Sequence, residues 1–166
     1  MPTALARFNA APTPDAEQLL LSCAAVPRWA AAVAADRPYP DVDAALAAAR
    51  TAADSWTDAE VDAALARHPR IGERPQGSDA DAAHSRREQA GVDAGDAELA
   101  RRLAEGNRAY EERFGHVFLI RAAGRSAEEI LAALEQRLGN DPATERRVAA
   151  EQLREIAVLR LRGELA

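Results

Sequence analysis

Thr57-Asp58-Ala59-Glu60 and Ser126-Ala127-Glu128-Glu129 carry one signal twice. A hydroxyl residue, then glutamate three places on, then apolar residues make a helix start in which each side chain caps the other's backbone N–H. Starts and stops of this kind recur along the chain and leave little room for strands. Pro14-Asp15 opens a segment with Leu19, Leu20 and Cys23; Pro27 interrupts it, and Trp29 and Val33 continue it. Asp41 to about Asp54 is alanine-rich, with Val42 and Leu46 on one face, and Val61 and Leu65 follow the first capping box. Residues 72–79 read as a loop, and Ser78 is placed to cap a helix through Glu88 to Gly91. From about Asp96, Leu99, Leu103, Tyr110 and Phe114 fall at helical spacing, and Gly115 is the expected stop. The second box opens a helix with Ile130, Leu131, Leu134 and Leu138 that ends at Gly139, and Asp141-Pro142 starts the last one.

The expectation is an all-α fold, a single compact bundle of roughly seven to eight helices with short connections, in one domain over residues 1–166. Alanine dominates a 48% hydrophobic fraction, which suits close-packed helices. "HVFLIRAAG", residues 116–124, is the one short apolar run that reads as extended. With no partner strand in view, it is expected to cross the bundle as extended backbone whose free N–H and C=O groups suit a polar ring-shaped ligand. A formal net charge of −6 argues against a general nucleic-acid or acidic-membrane binder. No apolar run approaches the roughly 20 residues of a membrane span. One cysteine, Cys23, and no secretory pattern point to a reducing cytoplasm.

Three sets of polar residues sit where a helical pattern expects apolar ones. His68 lies seven residues after Val61 and three after Leu65, on their stripe, and Pro69 turns the chain away at once. A histidine there serves as a cap or core group, the commoner case, or as an acid/base group at a pocket rim. Ser85, Glu88 and Gln89 share one helix face, whereas Arg86 and Arg87 of the same motif point elsewhere. Such a face is more often merely solvated; a hydroxyl, a carboxylate and an amide also make a hydrogen-bonding panel for a ureido or imide group. Arg160 falls on the stripe of Leu153 and Ile156, where a guanidinium needs an acidic partner, an anionic ligand or a route to the helix end. Asn107, between Leu103 and Tyr110, reads as a brace of the bundle more readily than as a ligand contact. His84 and Glu88 with His68 or His116 make only a weak zinc set, since no HExxH or CxxC spacing supports it, and no phosphate loop is present.

Taken together, "HPRIGERP", "SRREQAG", "N-x-x-Y-x-x-x-F-G-x-x-F-L-I" and the closing "LRLRG" resemble the 2-oxo-4-hydroxy-4-carboxy-5-ureidoimidazoline (OHCU) decarboxylases of urate breakdown. The early Trp29 and the Arg37-Pro38-Tyr39 pattern are similar too. The resemblance implies conversion of OHCU to (S)-allantoin and CO2 by a homodimer without metal or other cofactor. It assigns His68 and Glu88 to catalysis. Substrate contact falls to Pro69, to the motif Ser85, Arg86, Arg87, Glu88 and Gln89, to the backbone of Phe118, Leu119, Ile120, Arg121 and Ala122, and to Arg160. The chain departs from the family pattern at His116-Val117 and Arg121. Two other readings stay open: a helical interaction module without an active site, and an enzyme for another ureido-imidazoline.

Overall fold

The computed structural model describes residues 1–73, 79–90 and 96–166. Among these residues there are nine helices and no strand. The chain divides into two compact units, Met1–Ala64 with Arg154–Ala166, and Leu65–Leu153.

The first unit holds α1 (Ala4–Ala10), α2 (Thr13–Cys23), α3 (Pro27–Ala35), α4 (Val42–Ala53) and most of α5 (Asp58–Leu65). The expected count falls short because α1 is missing from it, and because Pro27 begins a separate helix instead of interrupting one. Thr3 caps α1 and Asp41 caps α4. The capping box at Thr57 closes in both directions: Thr57 N–H donates to Glu60 Oε1 at 2.9 Å and Glu60 N–H to Thr57 Oγ1 at 3.2 Å. The Arg37-Pro38-Tyr39 pattern has structural work here. Arg37 donates to the carbonyls of Phe8, Ala11 and Ala34, which lie at the C-terminal ends of α1 and α3, where helix carbonyls lack partners. Tyr39 Oη donates to Val33 O, and its backbone pairs with the Asn9 side chain in both directions. Trp29 donates to Ala49 O and meets the edge of Trp56, so the indole binds α3 to α4.

The second unit holds α6 (Ala80–Glu88), α7 (Ala97–Phe114), α8 (Ala127–Arg137) and the first half of α9 (Pro142–Leu165). Ser78 and Gly91, the expected ends of the α6 segment, lie outside the described residues, as does most of the expected loop; Asp79 caps the helix. Asp96 caps α7, Gly115 ends it in the left-handed conformation at φ +77°, Ser126 caps α8, and Pro142 stands at the first position of α9. The core joins Leu99, Leu103 and Tyr110 of α7 to Ile130, Leu131 and Leu134 of α8, and to Ile71, Phe118 and Ile120 of the connections. α7 and α8 approach so closely at Gly106 that a Cβ there would stand 2.5 Å from Leu134 Cδ2. Residues 117–122 form neither helix nor strand, as the apolar run predicted.

Candidate active site

α5 stops at Leu65, and His68 lies one turn beyond it, half-buried, with its N–H donating to Leu65 O at 3.0 Å. Pro69 follows, and the chain then runs through three anchored residues. Arg70 grips Glu111 of α7 with two hydrogen bonds, Nε to Oε1 at 2.6 Å and Nη2 to Oε2 at 3.1 Å. The Ile71 carbonyl accepts from Asn107 Nδ2 at 2.9 Å. Gly72 takes φ +93°, which a side chain resists, and its N–H donates to Gln89 Oε1 at 3.1 Å. A cavity of about 550 Å³ opens along the α7 side of this loop, lined in part by Arg70, Ile71, Gly72, Asn107 and Glu111.

The α6 motif reaches the loop through its last residue. Gln89 is the C-cap, its own N–H donating to Ser85 O at 3.1 Å. Its side-chain oxygen serves Gly72, so the NH2 end is the part that can donate to a ligand. Ser85 is buried and Glu88 half-buried, while Arg86 and Arg87 are exposed. Arg87 Nη2 lies 2.8 Å from Nδ1 of the buried His84.

The third element, residues 118–122, is shaped by side chains. Arg137 Nη1 donates to Leu119 O at 2.7 Å, Gln152 Oε1 accepts from Arg121 N–H at 2.8 Å, and Arg125 Nε donates to Arg121 O at 2.8 Å. The Arg121 side chain bends to its own turn, where Nη1 donates to Ala123 O at 2.8 Å. Arg137 also holds Glu145 Oε1 through Nε and Nη2, which Tyr110 Oη reaches at 2.5 Å, and Asn140 takes Oε2 at 3.0 Å. Its guanidinium lies over the Phe118 ring, 4.5 Å from the centroid. Burial, and then the neighbouring Glu145, push the Tyr110 phenol well above its ordinary range, so it stays a donor.

Sequence reasoning passed over Arg137 and Glu145. Both sit on apolar stripes, Arg137 after Ile130 and Leu134, Glu145 before Ala149 and Leu153. The test that singled out Arg160 finds them as well. Arg160 belongs to the first unit, where it is buried and Nη1 donates to Ser22 O at 3.4 Å. Among the described residues, no group of three or more His, Cys, Asp or Glu is placed to hold a metal ion, and no helix is long and apolar enough to cross a membrane.

Within the second unit, then, the His68 loop is tied to the end of α6 through Gly72 and Gln89, and it shares one apolar core with residues 118–122 through Ile71, Phe118 and Ile120. The chain is similar to known proteins. The family model for OHCU decarboxylase matches residues 9–162. A 2-oxo-4-hydroxy-4-carboxy-5-ureidoimidazoline decarboxylase of Amia calva is 41% identical over 140 residues, which span 81% of this chain and 78% of that protein. One from Haloferax volcanii is 32% identical over 126 residues, 75% of this chain and 73% of its own. A crystal structure of OHCU decarboxylase in the presence of (S)-allantoin superposes with a TM-score of 0.70 at 27% identity, covering 85% of this chain and 92% of that one. The chain belongs to the OHCU decarboxylase family.

Proposed function

We propose that this chain, as a single domain over residues 1–166, decarboxylates OHCU to (S)-allantoin and CO2 in urate degradation. Family membership supports the reaction, and one observation of geometry carries the site: the loop after His68 is tied by Gly72 to Gln89, at the end of the α6 motif assigned to substrate.

The substrate supplies its own electron sink. Its carboxylate sits on a carbon that bears a hydroxyl and adjoins a ring C=N. As the C–C bond to the carboxylate breaks, CO2 leaves and the electron pair passes into the C=N. His68 takes the hydroxyl proton as the ring carbonyl forms and returns a proton to one face of the neighbouring carbon, which sets the (S) configuration; the ring nitrogen is protonated from solvent. One proton is consumed overall. Glu88 orients His68 or accepts from the ureido N–H groups, the Gln89 NH2 group donates, and backbone groups of residues 118–122 read the ring edge. Arg160 pairs with an anionic or carbonyl part of the substrate. No metal or organic cofactor enters this scheme, because the C=N does the work such a group supplies elsewhere. A homodimer in the cytoplasm is the assembly and address that go with this reading.

The test is to add purified protein to freshly made OHCU and follow its decay together with the optical activity of the allantoin formed. Faster decay with an optically active product, unchanged by a chelator, is expected. Decay at the spontaneous rate, or racemic product, refutes the assignment, and activity lost to a chelator and restored by zinc refutes cofactor independence.

A further inference from the structure

The described part of the loop that carries His68 has one backbone turn of its own, Glu73 N–H donating to Arg70 O at 3.1 Å. Upstream, the His68 N–H is fixed to Leu65 O; downstream, consecutive residues 70, 71 and 72 are held by side chains of α7 and α6. These three ties are unequal. Arg70 is exposed, so its pair with Glu111 is weakened by water and ions. Gln89 is half-buried and stands at a helix end. Asn107 is only 5% exposed, sits in mid-helix on the stripe of Leu103 and Tyr110, and reaches a residue itself packed in the core. Water competes least there, so this hydrogen bond fixes position best.

We propose that Asn107 is a positioning residue for His68: by holding the Ile71 carbonyl it sets the exit path of the chain beyond Pro69 and so the placement of the imidazole. This rests on the reading of the chain as an OHCU decarboxylase. Acid/base transfer tolerates little displacement, and a shift of about 1 Å costs up to about a hundredfold in rate. A leucine at 107 would satisfy the apolar stripe equally well in shape. The chain instead buries an amide whose Nδ2 serves the loop.

Asn107→Leu removes the donor at similar volume, and Asn107→Ser is a smaller second variant. Each is measured for kcat and KM with OHCU, for Tm, for hydrogen exchange at the Gly72 amide and for the His68 ring resonances by NMR. The expected result is a kcat lower by about ten- to a hundredfold, KM within about twofold, faster exchange at Gly72 and displaced His68 resonances. In a His68→Asn background the same substitution adds little further loss, because its effect runs through His68. An unchanged kcat, a loss that persists in full in the His68→Asn background, or failure of both variants to fold overturns the proposal. If the wild-type protein does not accelerate OHCU decay, the functional reading has failed separately; the Gly72 exchange and His68 resonances, which need no substrate, then decide whether Asn107 positions the ring.

Discussion

Arg137 and Leu119 are joined by a 2.7 Å hydrogen bond from a buried guanidinium to a backbone carbonyl, within the segment assigned to the substrate ring. The same guanidinium is bound to Glu145, which is fully buried. A charge pair otherwise suited to holding helices together thus also sets the course of an irregular stretch of backbone.

Breaking that pair on one side leaves a buried, uncompensated charge. Glu145→Gln is expected to lower unfolding free energy by about 3–5 kcal/mol, read from urea titration at neutral pH. Replacing both partners with apolar residues should recover much of that stability while raising KM, because Leu119 O loses its donor. A Glu145→Gln protein of wild-type stability contradicts the account.

His68→Asn tests the catalytic assignment. It should fold with an unaltered Tm and lose at least about a hundredfold in rate on OHCU, the low end for acid/base catalysis. Near wild-type turnover removes His68 from the mechanism.

If Arg160 pairs with bound substrate, Arg160→Lys keeps the charge and loses a planar two-point contact. Calorimetric titration with allantoin should show weaker binding with little change in Tm. Lower stability with unchanged affinity would instead make Arg160 a structural residue of its unit.

Gly106→Ala gains about 1 kcal/mol of helix propensity but drives a Cβ to within 2.5 Å of Leu134 Cδ2, in a core with no exposed surface at Leu134. Overpacking costs about 1–3 kcal/mol, so a net loss of stability is expected. Leu134→Val in the same chain should restore part of it; stabilisation by Gly106→Ala alone would show that α7 and α8 can separate freely.

Acid should find one weak point in the first unit. The hydrogen bonds from Arg28, and then the Thr57 N–H, hold the Glu60 carboxyl at about 2, below its ordinary 4.5. A depressed value means the group adds stability above the ordinary pKa, and the contribution fades as pH falls from about 4.5 toward about 2. Glu60→Gln should therefore flatten the stability profile in that window, measured by denaturant midpoints at each pH, while lowering stability at pH 7. An identical slope in both proteins refutes it.

The helices were legible because their signals are local. Thr57 and Glu60, Gly115 and Pro142 act within a turn of where they stand, and each does in the structure what its spacing predicts, while the box at Ser126 closes on one side, Glu129 N–H donating to Ser126 Oγ. α1 escaped notice because seven residues carry little periodicity. His68, Glu88 and Gln89 stood out as polar residues beside apolar stripes. The second role of Gln89, on Gly72, depends on a contact 17 residues away, and that of Arg137 on a carbonyl 18 residues away. No local pattern encodes such pairs. The polarity of Arg137 and Glu145 among apolar neighbours was visible, but their mutual pairing appears only once α8 and α9 meet.

The irregular stretch 117–122 owes its shape to Arg137, Gln152 and Arg125, which lie outside it. Spliced alone into a different helical scaffold, those six residues would carry their side chains across and leave their conformation behind. A transplant that works has to move the supporting helices as well, so the smallest portable piece is much larger than the six residues themselves.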